Sequence, residues 1–437
     1  MLSIAAVTLF TIIAAILRIP LLSRPMGSDE SATFIYYASH PLPVAVTIYG
    51  SPNNHILHTV LMHLSYRMFG SAEWALRLPA FLAGVAIVPL TYVAARSIGN
   101  RGALLAAAFS ASAPVLIDYS TDARGYTMLC CFVLICAAAM AEIIRSGSRT
   151  AAWVFAISAA LGFYTVPVML YPFVMLVVWG RRKALPAAIV AILVAVALYL
   201  PVLLISGLSS ITSNPYVRPM PIAEFFRSVL PYLNTVRAHL FVGIPLIVQI
   251  LLAVGFVIAV RRQPMWIGFL PVVVLIGLQR VLPFPRVWLP FLVLMFITAA
   301  AAWPWSRTEP AVAAAVVIAL AISGFTTERV RETGELRAVR EITRELNRRA
   351  QKGDPVLATP PSEMPIAYYC RRVEVLNPDV SRPRLFVIEN RDYGQTLPRT
   401  LAFFRIDPRQ YAIRRVRDFG SSALYELRSG ERASRPQ

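Results

Sequence analysis

Acidic side chains are scarce in the first three-quarters of this chain, with only eight Asp or Glu among residues 1–325. So few carboxylates exclude an ordinary soluble surface over that length, where both signs of charge are normally mixed. Lysine is scarcer still, two against forty arginines, a bias of GC-rich bacterial coding sequence. Cysteine is too sparse and too badly placed for a disulfide framework: Cys130, Cys131 and Cys136 share one apolar run, and Cys370 stands alone. There is no Gly-rich phosphate loop, no paired-Cys zinc signature and no internal repeat. These absences remove nucleotide-loop enzymes, zinc modules and solenoids from consideration.

What is abundant is apolar sequence. Of 437 residues, 57% are hydrophobic and 15% charged, and the mean hydropathy is +0.61. The pattern predicts a polytopic α-helical membrane protein with about eleven spans: Leu2–Leu17, Leu78–Ala95, Ala103–Ile117, Thr127–Ile144, Ala151–Phe163, Val166–Trp179, Leu185–Ile205, Leu240–Val260, Met265–Leu278, Val287–Ala302 and Ala311–Phe325. A signal peptide is the other reading of the first run, but no small-residue cleavage signal follows Leu17. Short basic connections at Arg96/Arg101, Arg145/Arg149, Arg181-Arg182-Lys183, Arg261-Arg262 and Arg307 read as cytoplasmic, although Arg18 and Arg24 oppose this locally. Asp29, Glu30, Glu73, Asp118, Asp122 and Glu224 then lie outside, so carboxylate chemistry faces the exterior.

The net charge of +19 divides into +12 over residues 1–325, from 20 basic and 8 acidic residues, and +7 beyond, from 22 and 15. The basic residues are dispersed among spans, which points to lipid phosphates as partners and away from nucleic acid. After Phe325 the sequence becomes charge-rich and turn-rich, predicting a small extracytoplasmic α/β domain over residues 326–437. A helix is expected from Glu328 to Gln351, with strands at Val356–Ala358, Val373–Leu376, Leu385–Ile388, Tyr411–Val416 and Ala423–Leu427, and a frayed tail from Ser429.

The first outer loop, Arg18 to Arg77, is the most informative segment. Asp29 and Glu30 fall in the first turn of a short helix ending near Ser39, where a carboxylate either caps the helix or does chemistry. An amphipathic juxtamembrane helix follows from Asn54 to Phe69, with Ile56, Val60, Leu61, Leu64 and Met68 on the face laid in the membrane surface. His55 and His58, one turn apart, are either interfacial polar residues or two ligands of a divalent metal. The loop from Gly207 to His239, with Pro215, Pro219, Pro221 and Pro231, either covers a site or merely connects spans.

The order of several short motifs resembles the GT-C glycosyltransferases, in the branch of protein O-mannosyltransferases and bacterial aminoarabinose and galacturonic-acid transferases. The matching pieces are Asp29-Glu30, Pro52-Asn53-Asn54-His55, Glu73 to Pro79, Asp122 to Tyr126, and Arg286-Val287-Trp288-Leu289-Pro290. They cover roughly residues 1–300, and their order and spacing are more specific than any one of them. One departure is Asn53-Asn54, where some relatives carry a Glu-Lys pair that helps hold metal and lipid phosphate.

The resemblance implies transfer of a sugar from a polyprenyl-phosphate donor to an envelope glycolipid, glycan or protein at the outer face of the cytoplasmic (inner) membrane. Asp29 is then the general base, with Asp122 positioning the acceptor or supporting the base and Glu30 in a supporting role. Arg286 is the expected phosphate ligand, standing at a span mouth beside Pro283 and Pro285, though snorkelling at the interface is its plainer reading. Arg124 and Tyr126 are the alternatives for phosphate or sugar, and Asn54 and His55 are further substrate contacts. Glu73 and Arg77 are expected to pair across one helical turn. Two rivals remain: a lipid or solute transporter, which tends to place ionisable groups inside its spans, and an oligosaccharide ligase or polymerase of similar architecture.

Overall fold

The computed structural model describes residues 2–212, 218–303, 308–327 and 334–429. Arg307, Pro215, Glu328 and the tail beyond Ser429 lie outside the described residues. The chain divides into two compact units, one of Met1–Ser23 with His40–Arg329 and one of Arg24–Ser39 with Val330–Gln437.

Among the described residues, the first unit has helices and no strands. Along the chain α1 (Leu2–Arg18) leads, after α2 of the other unit (Ser28–Thr33), to α3 (Leu42–Thr47), α4 (Ile56–Phe69), α5 (Glu73–Ser97), α6 (Ala103–Ser112) and α7 (Pro114–Ser120). Next come α8 (Tyr126–Ser146), α9 (Arg149–Thr165), α10 (Leu170–Gly180), α11 (Leu185–Ile205), α12 (Leu208–Thr212) and α13 (Ile222–Leu240). The unit closes with α14 (Leu246–Val260), α15 (Phe269–Gln279), α16 (Leu289–Ala300) and α17 (Glu309–Thr326). Each predicted apolar run is helical over most of its length. By length and composition, however, five helices among the described residues qualify as unaided spans, or up to seven if each of two bent pairs is one span. The remaining runs are shortened by breaks, such as the 3₁₀ turns Pro167–Met169 and Pro264–Gly268.

The first bent pair shows how a break is tolerated in an apolar setting. The expected span Ala103–Ile117 is two helices, α6 and α7, bent by 59° at Ala113-Pro114. A break frees backbone carbonyls that lipid cannot satisfy. The guanidinium of Arg18 satisfies them: Nη1 donates to Ala111 O at 2.8 Å and Nη2 to Ser110 O at 3.4 Å, while Nε donates to Ser120 Oγ at 3.0 Å. Arg18 is fully buried and so is no loop charge of the kind the positive-inside count assumes. Gly84 of α5 makes the close approach possible, because a Cβ there would overlap Ser120 Oγ.

Small residues let α6 lie against its neighbours, and α5 to α9 share with α16 one buried centre that includes Ile87, Leu116, Leu134, Phe155 and Phe296. Exposed apolar side chains such as Leu193, Leu204, Leu251 and Leu278 line α11, α14 and α15, the surface a multi-pass membrane protein turns to lipid. On α4 the buried stripe is Ile56, Thr59, Met62 and Ser65 together with His58, while Leu64 and Met68 face out. The stretch expected as a Pro-rich loop is largely α13, a 19-residue helix with Pro231 inside it and Ile222, Phe226, Leu230 and Leu233 exposed along one face.

The second unit is a small α/β fold. Strands β1 (Val356–Leu357), β2 (Arg384–Asn390), β3 (Tyr411–Asp418) and β4 (Ser422–Ser429) form one sheet in the order β1-β2-β4-β3, with β1 parallel and the others antiparallel. Successive side chains of β2 point to opposite faces, and both faces are covered. Phe386 and Ile388 pack with Leu336, Ile342 and Leu346 around α18 (Val339–Arg349), and with Ile366 of α19 (Glu363–Tyr369). Leu385 and Val387 pack on Leu401 of α20 (Leu397–Phe403) and Leu427. The expected strand at Val373–Leu376 is only a single bridge, Glu374 to Pro355, and α18 is shorter than the expected helix. The segment holding Asp29 folds with this unit.

Candidate active site

Within the helical unit, the turn before α4 meets the turn between α7 and α8. The Gly125 N–H donates to His55 Nδ1 at 2.9 Å. Only glycine permits this approach, since a Cβ at 125 would stand 2.6 Å from the Thr165 methyl and 3.2 Å from His55 Nδ1. Arg124 Nη1 donates to the Asn53 side-chain oxygen and, at 3.1 Å, to the Asn53 carbonyl. Its Nη2 lies 3.3 Å from His55 Nε2.

Those contacts assign the imidazole. Burial, then the charges of Arg124, His58 and Arg286, hold the His55 pKa well below its ordinary value, so the ring is neutral. With Nδ1 accepting from Gly125, its single proton sits on Nε2. His55 Nε2–H and Arg124 Nη2–H are therefore two donors side by side. One anionic oxygen between them would accept from both.

Tyr126, which opens α8, joins a second arginine to this group. Its ring stands edge-on to His55 at 5.0 Å and to Tyr119 at 5.5 Å. Arg286 Nε donates to the Tyr126 hydroxyl at 2.9 Å, and its guanidinium lies 4.4 Å from the Phe284 ring centre. The guanidinium carbons of Arg124 and Arg286 lie 5.9 and 5.8 Å from the Tyr126 ring centre. Arg286 sits on a 3₁₀ turn begun by Pro285, which fixes its backbone. From α13, His239 Nε2 hydrogen-bonds Tyr119 Oη at 3.1 Å, and Tyr232 Oη accepts from Trp288 Nε1. Asp122 is buried on the turn that carries Arg124, whose N–H donates to its carbonyl.

Other expected residues take structural roles. Asn54 Nδ2 donates to Ala45 O at 3.0 Å and Ile48 O at 2.9 Å, tying the end of α3 to the start of α4. Arg77 is fully buried and donates to Leu22 O at 2.9 Å. His58 is buried beside His55, but among the described residues no three His, Cys, Asp or Glu side chains gather to hold a metal ion. With one imidazole committed at Nδ1, the pair is a thin donor set for a divalent metal.

In the α/β unit the two adjacent carboxylates separate by role. Glu30 is fully buried, and its Oε2 accepts from the Gly27 N–H at 2.7 Å, closing the start of α2. Asp29, in the same first turn, stays half-exposed. The helix continues from Thr33 as one π-helical turn, Phe34–Ala38. The sequence reading missed Asn53, Gly125, Tyr119 and His239. Asn53 was legible only as a departure from a charged pair, and the others carried no signal beyond the motif they flank.

A family model described as dolichyl-phosphate-mannose-protein mannosyltransferase matches residues 52–205, a range holding Asn53, His55, Asp122, Arg124 and Tyr126. The fold is that of ArnT from Cupriavidus metallidurans in the apo state, with TM-score 0.68 and 13% identity over 100% of both chains. The chain has the GT-C fold. The ArnT structure from the same organism bound to undecaprenyl phosphate also matches, with TM-score 0.60 and 14% identity, covering 96% of this chain and 97% of that one. No curated protein matches the sequence significantly.

Proposed function

We propose that this GT-C protein transfers a sugar from a polyprenyl-phosphate donor to an envelope glycolipid, glycan or protein on the outer face of the cytoplasmic membrane. The observation that carries the reading is the convergence of Arg124 and Arg286 on Tyr126 beside the Nε2–H of His55. Guanidinium groups stabilise the charge on a departing lipid phosphate, and a neutral imidazole N–H adds a donor without a proton to lose. The likeness to ArnT, solved with undecaprenyl phosphate, supports the lipid class.

In the proposed reaction an acceptor hydroxyl oxygen attacks the anomeric carbon while the bond from that carbon to the phosphate oxygen breaks. The bonding electrons leave with the phosphate, the hydroxyl proton goes to Asp29, and the anomeric configuration inverts. Asp122 supports the base or positions the acceptor. The α/β unit lies on the outer side in this reading, and a divalent metal on His55 and His58 has no step. The test is incubation of purified protein with a polyprenyl-phosphate sugar and envelope glycolipid extract, read by mass spectrometry. A product heavier by one sugar supports the proposal. Transfer of a whole oligosaccharide would indicate a ligase, and donor crossing a vesicle without product would indicate a transporter.

A further inference from the structure

We infer that Tyr369 of the α/β unit is a positioning residue for the Asp29 carboxylate, acting through the backbone of Met26, with Gly334 completing the same clamp. This rests on the reading of Asp29 as general base. The N–H groups at a helix start have no intrahelical acceptor and must find one elsewhere. Here three in succession are met: Met26 donates to the Tyr369 hydroxyl at 3.0 Å, Gly27 to Glu30, and Ser28 to the Gly334 carbonyl at 3.0 Å. Two of the three acceptors come from the far end of the chain.

The other side of Asp29 is held as firmly. Thr33 Oγ1 donates to the Asp29 carbonyl at 2.9 Å. Buried Phe34 stands edge-on to Tyr368 at 5.6 Å, and Tyr368 to Tyr369 at 4.8 Å. A half-exposed carboxylate on an over-determined backbone is what a positioned base requires, because a misplacement of about 1 Å costs roughly 100-fold in rate. Gly334 is at φ +81°, and a Cβ there would stand 3.0 Å from Ser28 Cβ and 2.7 Å from Pro361 Cβ. Alanine at 334 would strain the turn and push on the residue before Asp29.

The test uses full-length protein in lipid nanodiscs with a polyprenyl-phosphate sugar, comparing Tyr369→Phe, Gly334→Ala, Asp29→Asn and Tyr425→Phe. The last removes a hydroxyl bonded to Glu389 at 2.8 Å elsewhere in the same unit. The expected result is a fall in kcat of about tenfold for Tyr369→Phe, within the range that misalignment produces. Donor KM should be unchanged and any drop in thermal midpoint no larger than in Tyr425→Phe, the loss of kcat larger in Gly334→Ala, and Tyr425→Phe should keep wild-type kcat. Wild-type kcat in Tyr369→Phe while Asp29→Asn is inactive overturns the positioning role and leaves the base standing. Equal losses in Tyr369→Phe and Tyr425→Phe also overturn it, as general weakening of the unit. Wild-type turnover in Asp29→Asn removes the base itself. Should Gly334→Ala not fold, Tyr369→Phe alone decides.

Discussion

Replacing Arg286 separates charge from geometry at the proposed phosphate site. Its Nε–H is bonded to Tyr126 Oη at 2.9 Å and its guanidinium carbon lies 4.4 Å from the Phe284 ring centre, so the guanidinium is held in place, and its fork of donors matches two phosphate oxygens. A hydrogen bond from a charged guanidinium to the departing phosphate contributes about 1.5–3 kcal/mol, and the proposed site makes two. Arg286→Ala removes both together with the charge, so kcat/KM for donor should fall by about 100-fold or more, at roughly 1.4 kcal/mol per factor of ten. Arg286→Lys keeps the charge but loses the fork and the stacked plane, and a loss of about tenfold is expected. Both are measured as turnover of a polyprenyl-phosphate sugar, with and without a chelator, alongside expression and thermal midpoint. Turnover of Arg286→Ala within threefold of wild type would refute the assignment. If chelation then stopped the wild type, a metal on His55 and His58 would hold the phosphate instead.

Asp29→Asn should abolish transfer in folded protein, since general-base catalysis contributes about 10²- to 10⁴-fold. Glu30→Gln, changing only the helix cap, should retain most turnover at a stability cost of about 1 kcal/mol; turnover within threefold in Asp29→Asn would contradict the roles given to the pair. Burial pushes the Glu363 carboxyl up to about 7, above its unfolded value, so the stability it lends is complete below the unfolded pKa and lost as pH rises through 7. The thermal midpoint of wild type should therefore drop between pH 5 and 8 more than that of Glu363→Gln, and parallel curves would show that this carboxyl does not titrate so high. For topology, Cys370 is a poor reporter, because it is buried, its Sγ is bonded to Asn347 at 3.3 Å, and burial raises its pKa. Arg409→Cys places a thiol on an exposed turn, and a membrane-impermeant reagent should label it in intact spheroplasts; labelling only after permeabilisation would put the α/β unit in the cytoplasm.

Hydropathy located the apolar helices because lipid-facing and core-facing residues of a span are both apolar, but it is blind to direction. A window over Ala103–Ile117 scores alike whether the helix is straight or bent by 59°. The bend became possible through Arg18, a residue the sequence reading had placed in solution as a loop charge. Buried arginines bonded to backbone carbonyls are invisible to charge counting, which is why Arg18 was misplaced. In the C-terminal unit, the composition of short β-type runs between Pro and Gly marked the strands that became β1, β2, β3 and β4. It overcalled Val373–Leu376, whose residues are apolar enough for a strand but pair at one position only.

The site was legible in its residue types and not in its allegiances. Motif order singled out Asp29, Asp122, Arg124, Tyr126 and Arg286, and the structure brings the last three together with His55. Nothing in the sequence says that Asp29, 26 positions before His55, folds with residues beyond 330 while His55 folds with the spans. Chain proximity suggested one outer loop, but the N–H groups of Met26 and Ser28 had to find acceptors, and those came from Tyr369 and Gly334. On the proposed role of Asp29 as base, removal of the α/β unit is expected to abolish turnover. A truncation before residue 334 would leave the backbone preceding Asp29 without two of its acceptors, so lost turnover in such a protein would report on the proposed base as much as on any task of the domain itself.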